Sequence, residues 1–225
     1  MKTQAIIPTA GNGSRLKTRQ DKPLVLLNRK PLFVYALMAM EKCSLVNSVI
    51  VVVSEKHLKI FERLIKKFKL KKVKRIVAGG ETRCASVKKG LAVLDSDTEA
   101  VVIHDGARPF ITPELISQAL SFMIKESAVV VGVPAKSTIK RVDLDNLYVQ
   151  ETLARETLWE TQTPQIFKKE ILLKAHALML EKNPTDDAVL LEKMGVKVKM
   201  VMGDYQNIKI TTREDLAIAR IFLKS

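Results

Sequence analysis

Short apolar runs alternate with longer amphipathic stretches along most of the chain. Gln4-Ala5-Ile6-Ile7-Pro8 opens the series and gives way to Thr9-Ala10-Gly11-Asn12-Gly13-Ser14-Arg15. Val49–Val53, Ala100–Ile103 and Ala128–Val133 repeat the pattern of β-branched residues with no polar alternation. Such runs suit strands covered on both faces, as in a parallel sheet. The segments between them carry helical spacing. Leu32–Lys42 places Phe33, Val34, Leu37, Met38 and Met40 on one side, and Lys56–Phe68 does the same with Leu58, Ile60, Phe61, Leu64, Ile65 and Phe68. Pro113–Lys125 follows Thr112, an N-cap with proline at the first helical position. A further helix is read over Cys84–Leu94. Asp186–Met194 reads as a helix stopped by Gly195, Val196–Met202 as a strand, and Thr212–Leu223 as a closing amphipathic helix. Strands alternating with helices predict an α/β fold with a mostly parallel sheet. No repeat, low-complexity tract or linker divides residues 1–225, so one domain is expected.

One region departs from this rhythm. Ser137–Gln165 is polar and holds two short β-prone pieces, 138–142 and 147–150, around the turn-like Asp143-Leu144-Asp145-Asn146. It reads as a hairpin projecting from the sheet, either an arm around a second subunit or a surface excursion.

Composition narrows the class. The chain has 225 residues, 47% of them hydrophobic, enough apolar surface to offset chain entropy. Two cysteines, Cys43 and Cys84, make no disulfide framework. No run approaches the roughly 20 apolar residues of a membrane span. The start lacks the apolar region of a signal peptide, so a reducing, cytoplasmic location is expected. The formal charge is +14. That excess fits nucleic acid, an anionic membrane or phosphate-bearing small molecules.

The candidate chemistry lies at the strand ends. Gly11-x-Gly13 after the first strand would let backbone amides approach a phosphate, with Arg15 and Lys22 adding positive charge. It is neither a dinucleotide fingerprint, because Leu16 holds the third glycine position, nor a Walker loop. The bland alternative is a tight turn with solvated charges. Asp105, directly after an apolar strand, suits a Mg²⁺ ligand at the carboxyl end of a sheet, or else caps a turn or pairs with Arg108. His104 reads as structural. Gly79-Gly80-Glu81-Thr82-Arg83-Cys84-Ala85-Ser86 would let a nucleobase edge meet the backbone, with Ser86 adding a hydrogen bond. Cys84 shows no metal-ligand spacing and reads as an unreactive helix residue. Lys209, between Ile208 and Ile210 in a β-like segment, should point away from the core toward the same cleft.

The ordered set of motifs resembles the 2-C-methyl-D-erythritol 4-phosphate cytidylyltransferase family. It comprises Pro8-x-Ala10-Gly11-x-Gly13-x-Arg15, Lys22-Pro23, Gly79-Gly80-x-x-Arg83-x-x-Ser86-Val87 and His104-Asp105-x-Ala107-Arg108-Pro109. Thr138-Ile139-Lys140, Arg155…Trp159…Thr163-Pro164-Gln165, Thr185-Asp186-Asp187 and Asn207-Ile208-Lys209-Ile210-Thr211 complete it. The resemblance implies a Rossmann-like nucleotidyltransferase domain and transfer of a cytidylyl group from CTP to methylerythritol phosphate, with Mg²⁺. It implies that Arg15, Lys22, Arg155 and Lys209 are catalytic and that Asp105 holds the metal. Ala10, Gly11, Gly13, Gly80, Glu81, Ser86 and Gly106 would line the CTP pocket, and Thr138, Arg155 and Thr163 would bind the sugar phosphate. It also implies a homodimer in which an arm, residues 137–160, carries Thr138 and Arg155 to the partner's site. Three positions depart from the family pattern: Leu24 after Lys22-Pro23, Ser137 before Thr138, and Glu81 for the more common Asp.

Two other readings compete. Ribitol-5-phosphate cytidylyltransferase is a sister activity on a similar scaffold. A basic nucleic-acid-binding protein would draw on the Lys66–Arg75 run, but aromatic content is 5% and no binding-module signature accompanies it. Neither nucleic acid nor membrane is therefore expected as a partner.

Overall fold

In a computed structural model, residues 1–10, 21–181 and 184–223 are described. The apolar runs become strands β1 (Thr3–Pro8), β4 (Ser48–Val53), β6 (Ala100–Ile103) and β7 (Ala128–Pro134), and β5 (Val73–Ala78), which carries Lys74 and Arg75 and was marked by no apolar run, joins them. With β10 (Trp159–Lys168) and β11 (Lys199–Met202) they form a seven-stranded sheet of order β11-β7-β10-β6-β1-β4-β5. All pairings are parallel except those of β10, which runs antiparallel to both β6 and β7.

Alternation along the parallel strands splits the core into two layers, as doubly buried strands require. Ala5, Ile7, Val49, Val51 and Val53 face α1 (Leu32–Lys42), α2 (Leu58–Lys67) and α4 (Pro113–Ser121), around the stacked rings of Phe33 and Phe61. Ile6, Ile50, Val52, Val101 and Ile103 face α3 (Arg83–Leu91), α5 (Lys169–Leu178) and α6 (Ala188–Glu192). A smaller cluster joins Val25, Leu27 and Leu32 to Ile210, Leu216 and Ala219 of α7 (Arg213–Phe222), beside the hairpin of β2 (Leu26–Leu27) and β3 (Lys30–Pro31).

The helix signals hold where they were read. Thr112 caps α4 by accepting from the Leu115 N–H, and Thr212 with Asp215 forms a capping box on α7. Gly195 takes a φ of +77° three residues past α6. Two expectations change. The helices read to Leu94 and Met194 stop at Leu91 and Glu192, and the last strand begins only at Lys199. The polar stretch 137–165 also holds more than a hairpin. β8 (Lys140–Val142) and β9 (Val149–Thr152) do pair antiparallel, but β10 then enters the central sheet. Its first three residues are exposed and the next six buried, which explains the polar reading of its N-terminal half.

Candidate active site

The carboxyl ends of β1, β5 and β6 converge with the segment 207–211 on a cavity of about 250 Å³. Pro8, Thr9, Ala10, Lys22, Arg83, Ser86, Asp105, Gly106 and Lys209 are among its walls. The loops pack closely: a Cβ on Gly106 would lie 2.5 Å from Cγ2 of Thr9, so only glycine fits there. Gly11, Gly13 and Arg15 lie outside the described residues.

Asp105 is the electrostatic centre. Its Oδ1 accepts from Nε of Arg83 at 2.9 Å and its Oδ2 pairs with Nζ of Lys209 at 2.6 Å. Burial alone would raise this carboxyl, but the charges of Arg83 and Lys209 outweigh it and hold Asp105 well below the usual carboxylate range. Neither sequence alternative for Asp105 applies. Arg108 turns away, with Nη1 donating to the Asn207 carbonyl at 2.7 Å and Nη2 to that of Thr161 at 3.3 Å. Burial lowers the Arg108 guanidinium, with Asp105 opposing.

The same bonds explain how Lys209 reaches the cavity. Asn207 donates from Nδ2 to the Thr163 carbonyl at 2.9 Å, and the Ile210 N–H donates to the Ala107 carbonyl at 2.9 Å. Residues 207–211 are thus strapped across 105–108 without forming the expected strand. Ile210 is fully buried and Lys209 points the other way, so the alternation argument holds for a non-strand segment.

His104 is fully buried and structural, as read. Its Nε2 lies 3.2 Å from the Arg108 carbonyl and its Nδ1 3.0 Å from the Thr163 hydroxyl. Thr163 Oγ1 in turn accepts the Asp105 N–H at 3.1 Å. A neutral ring with its proton on Nε2 satisfies all three contacts. Burial pushes the imidazole down to about 4, against the raising influence of Asp105. The Thr163 hydroxyl, expected on the sugar phosphate, is therefore already engaged beneath the cavity. Ser86, expected on the nucleobase, lines the cavity while its hydroxyl accepts the Gly80 N–H at 3.1 Å and donates to the Gly80 carbonyl at 3.3 Å. Glu81 is exposed beside Gly80. Thr138 and Arg155 are exposed at the hairpin, and neither is a wall of the cavity; Arg155 donates to the Lys136 carbonyl at 2.8 Å.

Arg83 is a motif residue for which the sequence implies no role. It joins Asp105 to Asp187, whose Oδ2 accepts from Nη1 at 2.6 Å, and Nη2 is buried without a partner among the described residues. Burial opposes its charge, but the two carboxylates more than compensate and raise the guanidinium further. Among the described residues no three His, Cys, Asp or Glu side chains cluster as a metal cage. A single ionised carboxylate in a cation-lined cavity fits Mg²⁺ taking most of its oxygens from substrate phosphates.

A family model described as 2-C-methyl-D-erythritol 4-phosphate cytidylyltransferase (IspD) matches residues 3–225. The chain belongs to the IspD family. It is 44% identical over 227 residues to a protein of that name from Caldanaerobacter subterraneus subsp. tengcongensis, covering all of both chains. It is 45% identical to one from Alkaliphilus metalliredigens, covering 97% of this chain and 92% of the other. A crystal structure of 4-diphosphocytidyl-2C-methyl-D-erythritol synthase from Anaerococcus prevotii superposes with a TM-score of 0.88 at 31% identity, over 100% and 99% of the two chains. Among the described residues no helix is long and apolar enough to cross a membrane.

Proposed function

We propose that the protein transfers a cytidylyl group from CTP to 2-C-methyl-D-erythritol 4-phosphate, releasing pyrophosphate. The observation that carries this is Asp105 set between Arg83 and Lys209 in a cavity at the strand ends of an IspD-family chain.

The acceptor's 4-phosphate attacks the α-phosphorus of CTP in line. A new P–O bond forms there, and the bond to the β-phosphate oxygen breaks. The nucleophile is already an anion, so no general base is needed. The residues align two anions and offset their repulsion, the main demand of phosphoryl-type transfer. Lys22 and Lys209 face the cavity to neutralise phosphate oxygens. Arg15 belongs to the same set by family correspondence. Asp105 would hold Mg²⁺, which neutralises charge on the triphosphate. Ala10 at the cavity wall and the loop at Gly80, pinned by Ser86, frame the nucleotide.

Thr138 and Arg155 enter through a second copy of the chain. The arm 137–160 exposes Leu144, Leu147 and Tyr148, at 85%, 72% and 75% of their surfaces, an apolar tip suited to burial between subunits. In this reading a homodimer completes each acceptor pocket with the partner's arm.

Pyrophosphate release from CTP and methylerythritol phosphate with Mg²⁺ tests the proposal. Turnover is expected, and loss of it in Lys22→Ala and Asp105→Ala. Turnover with ribitol 5-phosphate and none with methylerythritol phosphate would overturn the acceptor assignment.

A further inference from the structure

Behind Asp187, on the side away from the cavity, the Cys84 sulfur meets a second sulfur and an imidazole nitrogen. Sγ of Cys84 lies 4.0 Å from Nδ1 of His176 and 4.0 Å from Sδ of Met179. Cys84 is the second residue of α3, His176 lies in the last turn of α5, and Met179 caps α5 at a φ of 43°. No spacing rule finds them, because Cys84 is 92 residues from His176. Spacing along the chain reads Cys84 as an unreactive helix residue, whereas the fold brings His176 and Met179 to its sulfur.

The histidine is oriented from behind. Its Nε2 lies 3.1 Å from Oδ1 of Asp187, and its side chain is 3% exposed. An Nε2–H donated to that carboxylate leaves the Nδ1 lone pair on the side of the two sulfurs. Carboxylate–imidazole–metal is the usual outer-shell arrangement of a histidine ligand. The spacing fits as well. A d¹⁰ ion bound at roughly 2.3 Å to sulfur and 2.0 Å to nitrogen in a trigonal plane sets sulfur and nitrogen roughly 3.7 Å apart and two sulfurs roughly 4.0 Å apart. A thiolate and a thioether are soft donors and imidazole is a borderline one, a set that favours Cu(I) over hard cations such as Mg²⁺.

We propose that Cys84, His176 and Met179 form a binding site for a soft monovalent cation of the Cu(I) type, coupled to the active site through Asp187 and Arg83. Burial, with the Asp187 charge, pushes the Cys84 thiol up, so the metal-free site holds a neutral thiol. On binding, the thiol proton passes to solvent and the thiolate, Nδ1 and Sδ each donate a lone pair. No electron is transferred. His176 keeps its Nε2 proton on Asp187. The coupling follows from shared oxygens, since Asp187 holds His176 by Oδ1 and Arg83 by Oδ2, and Arg83 holds Asp105. A cation on the imidazole draws Asp187 toward His176 and weakens its hold on Arg83, so occupancy slows turnover.

The test is anaerobic competition for Cu(I) between the fully reduced, full-length protein and the chromophoric chelator bathocuproine disulfonate. One Cu(I) per chain should leave the chelator. Cys84→Ser should weaken that uptake by about 100-fold and Met179→Leu by about 10-fold, the scale on which ligand-shell losses act. Cys43→Ala, which alters the other thiol, should leave it intact. No uptake by the unaltered chain, or equal uptake by Cys84→Ser, overturns the site. Pyrophosphate release should fall several-fold with one equivalent of Cu(I) in the unaltered chain and not in Cys84→Ser. Stoichiometric uptake at an unchanged rate overturns the coupling.

Discussion

Asp105 and Arg155 make opposite use of the chain around them. Asp105 is 6% exposed, and both its carboxylate oxygens and its N–H are engaged by the same chain. Arg155 is exposed, donates to one backbone carbonyl, and stands on a hairpin whose largest apolar side chains face outward. A charge that must be aimed before substrate arrives is held by several mutually fixed partners, at a desolvation cost those partners offset. On the proposal that Arg155 serves another subunit's pocket, few contacts within its own chain are what it needs.

The largest effect expected from breaking this contrast is at Asp105. Asp105→Ala removes the carboxylate and leaves Arg83 and Lys209 facing each other across the cavity. The turnover rate should fall by about 10³-fold, the upper range for losing one preorganised electrostatic group. Steady-state pyrophosphate release measures it, and a loss under tenfold would show that the cavity is not centred on this residue. Next is Asp187→Asn, which removes no cavity wall but breaks a buried ion pair with Arg83. A stability loss of about 3 kcal/mol is expected in urea unfolding, together with a slower rate as Arg83 loses its second anchor. An unchanged midpoint would mean that Asp105 alone fixes Arg83.

The two regions also differ in how far the sequence revealed them. The strands β1, β4, β6 and β7 were legible because double burial leaves no polar residue to interrupt the run. β10 was not, because its first half is exposed and carries Trp159-Glu160-Thr161 in a polar stretch. Asp105 and Lys209 were legible as residues aimed at a strand-end cleft. Their mutual pairing was not, nor was the role of Arg83, since its contact to Asp187 spans 104 positions. Helical and strand periods report on local neighbours, whereas an ion pair across the sheet ends depends on how loops from different strands meet. The hairpin was legible from its turn chemistry, and Asp143 does accept from the Asp145 N–H at 2.9 Å. The Lys66–Arg75 run is also partly accounted for locally. Lys72 donates from Nζ to the carbonyls of Met40 and Cys43, and Arg75 pairs with Asp95.

A mixing experiment sharpens the contrast further. If Arg155 serves the partner's pocket, Asp105→Ala and Arg155→Ala damage different halves of one composite site. Mixing the two inactive variants in equal amounts and allowing subunit exchange gives half heterodimers, each with one intact site. About one quarter of the unaltered activity should return, as two-fold symmetry with statistical exchange requires. No recovery, with exchange verified by tagged subunits, would place Arg155 in its own chain's pocket.

The smallest effect belongs to the hairpin tip. Tyr148 is 75% exposed, and its N–H donates to Oδ1 of Asn146 within the turn. Tyr148→Asp removes an aromatic ring from the proposed subunit contact and adds a charge to it, while touching nothing in the chain's own core. Dimer affinity measured by sedimentation should weaken by about tenfold, the scale of one interface side chain. The unfolding free energy at a concentration where the chain is monomeric should change by no more than about 0.5 kcal/mol, as for a surface position. The rate at low protein concentration should then fall with the dimer fraction and recover at high concentration. A rate insensitive to concentration, with affinity reduced, would show that the arm joins the subunits without completing their sites.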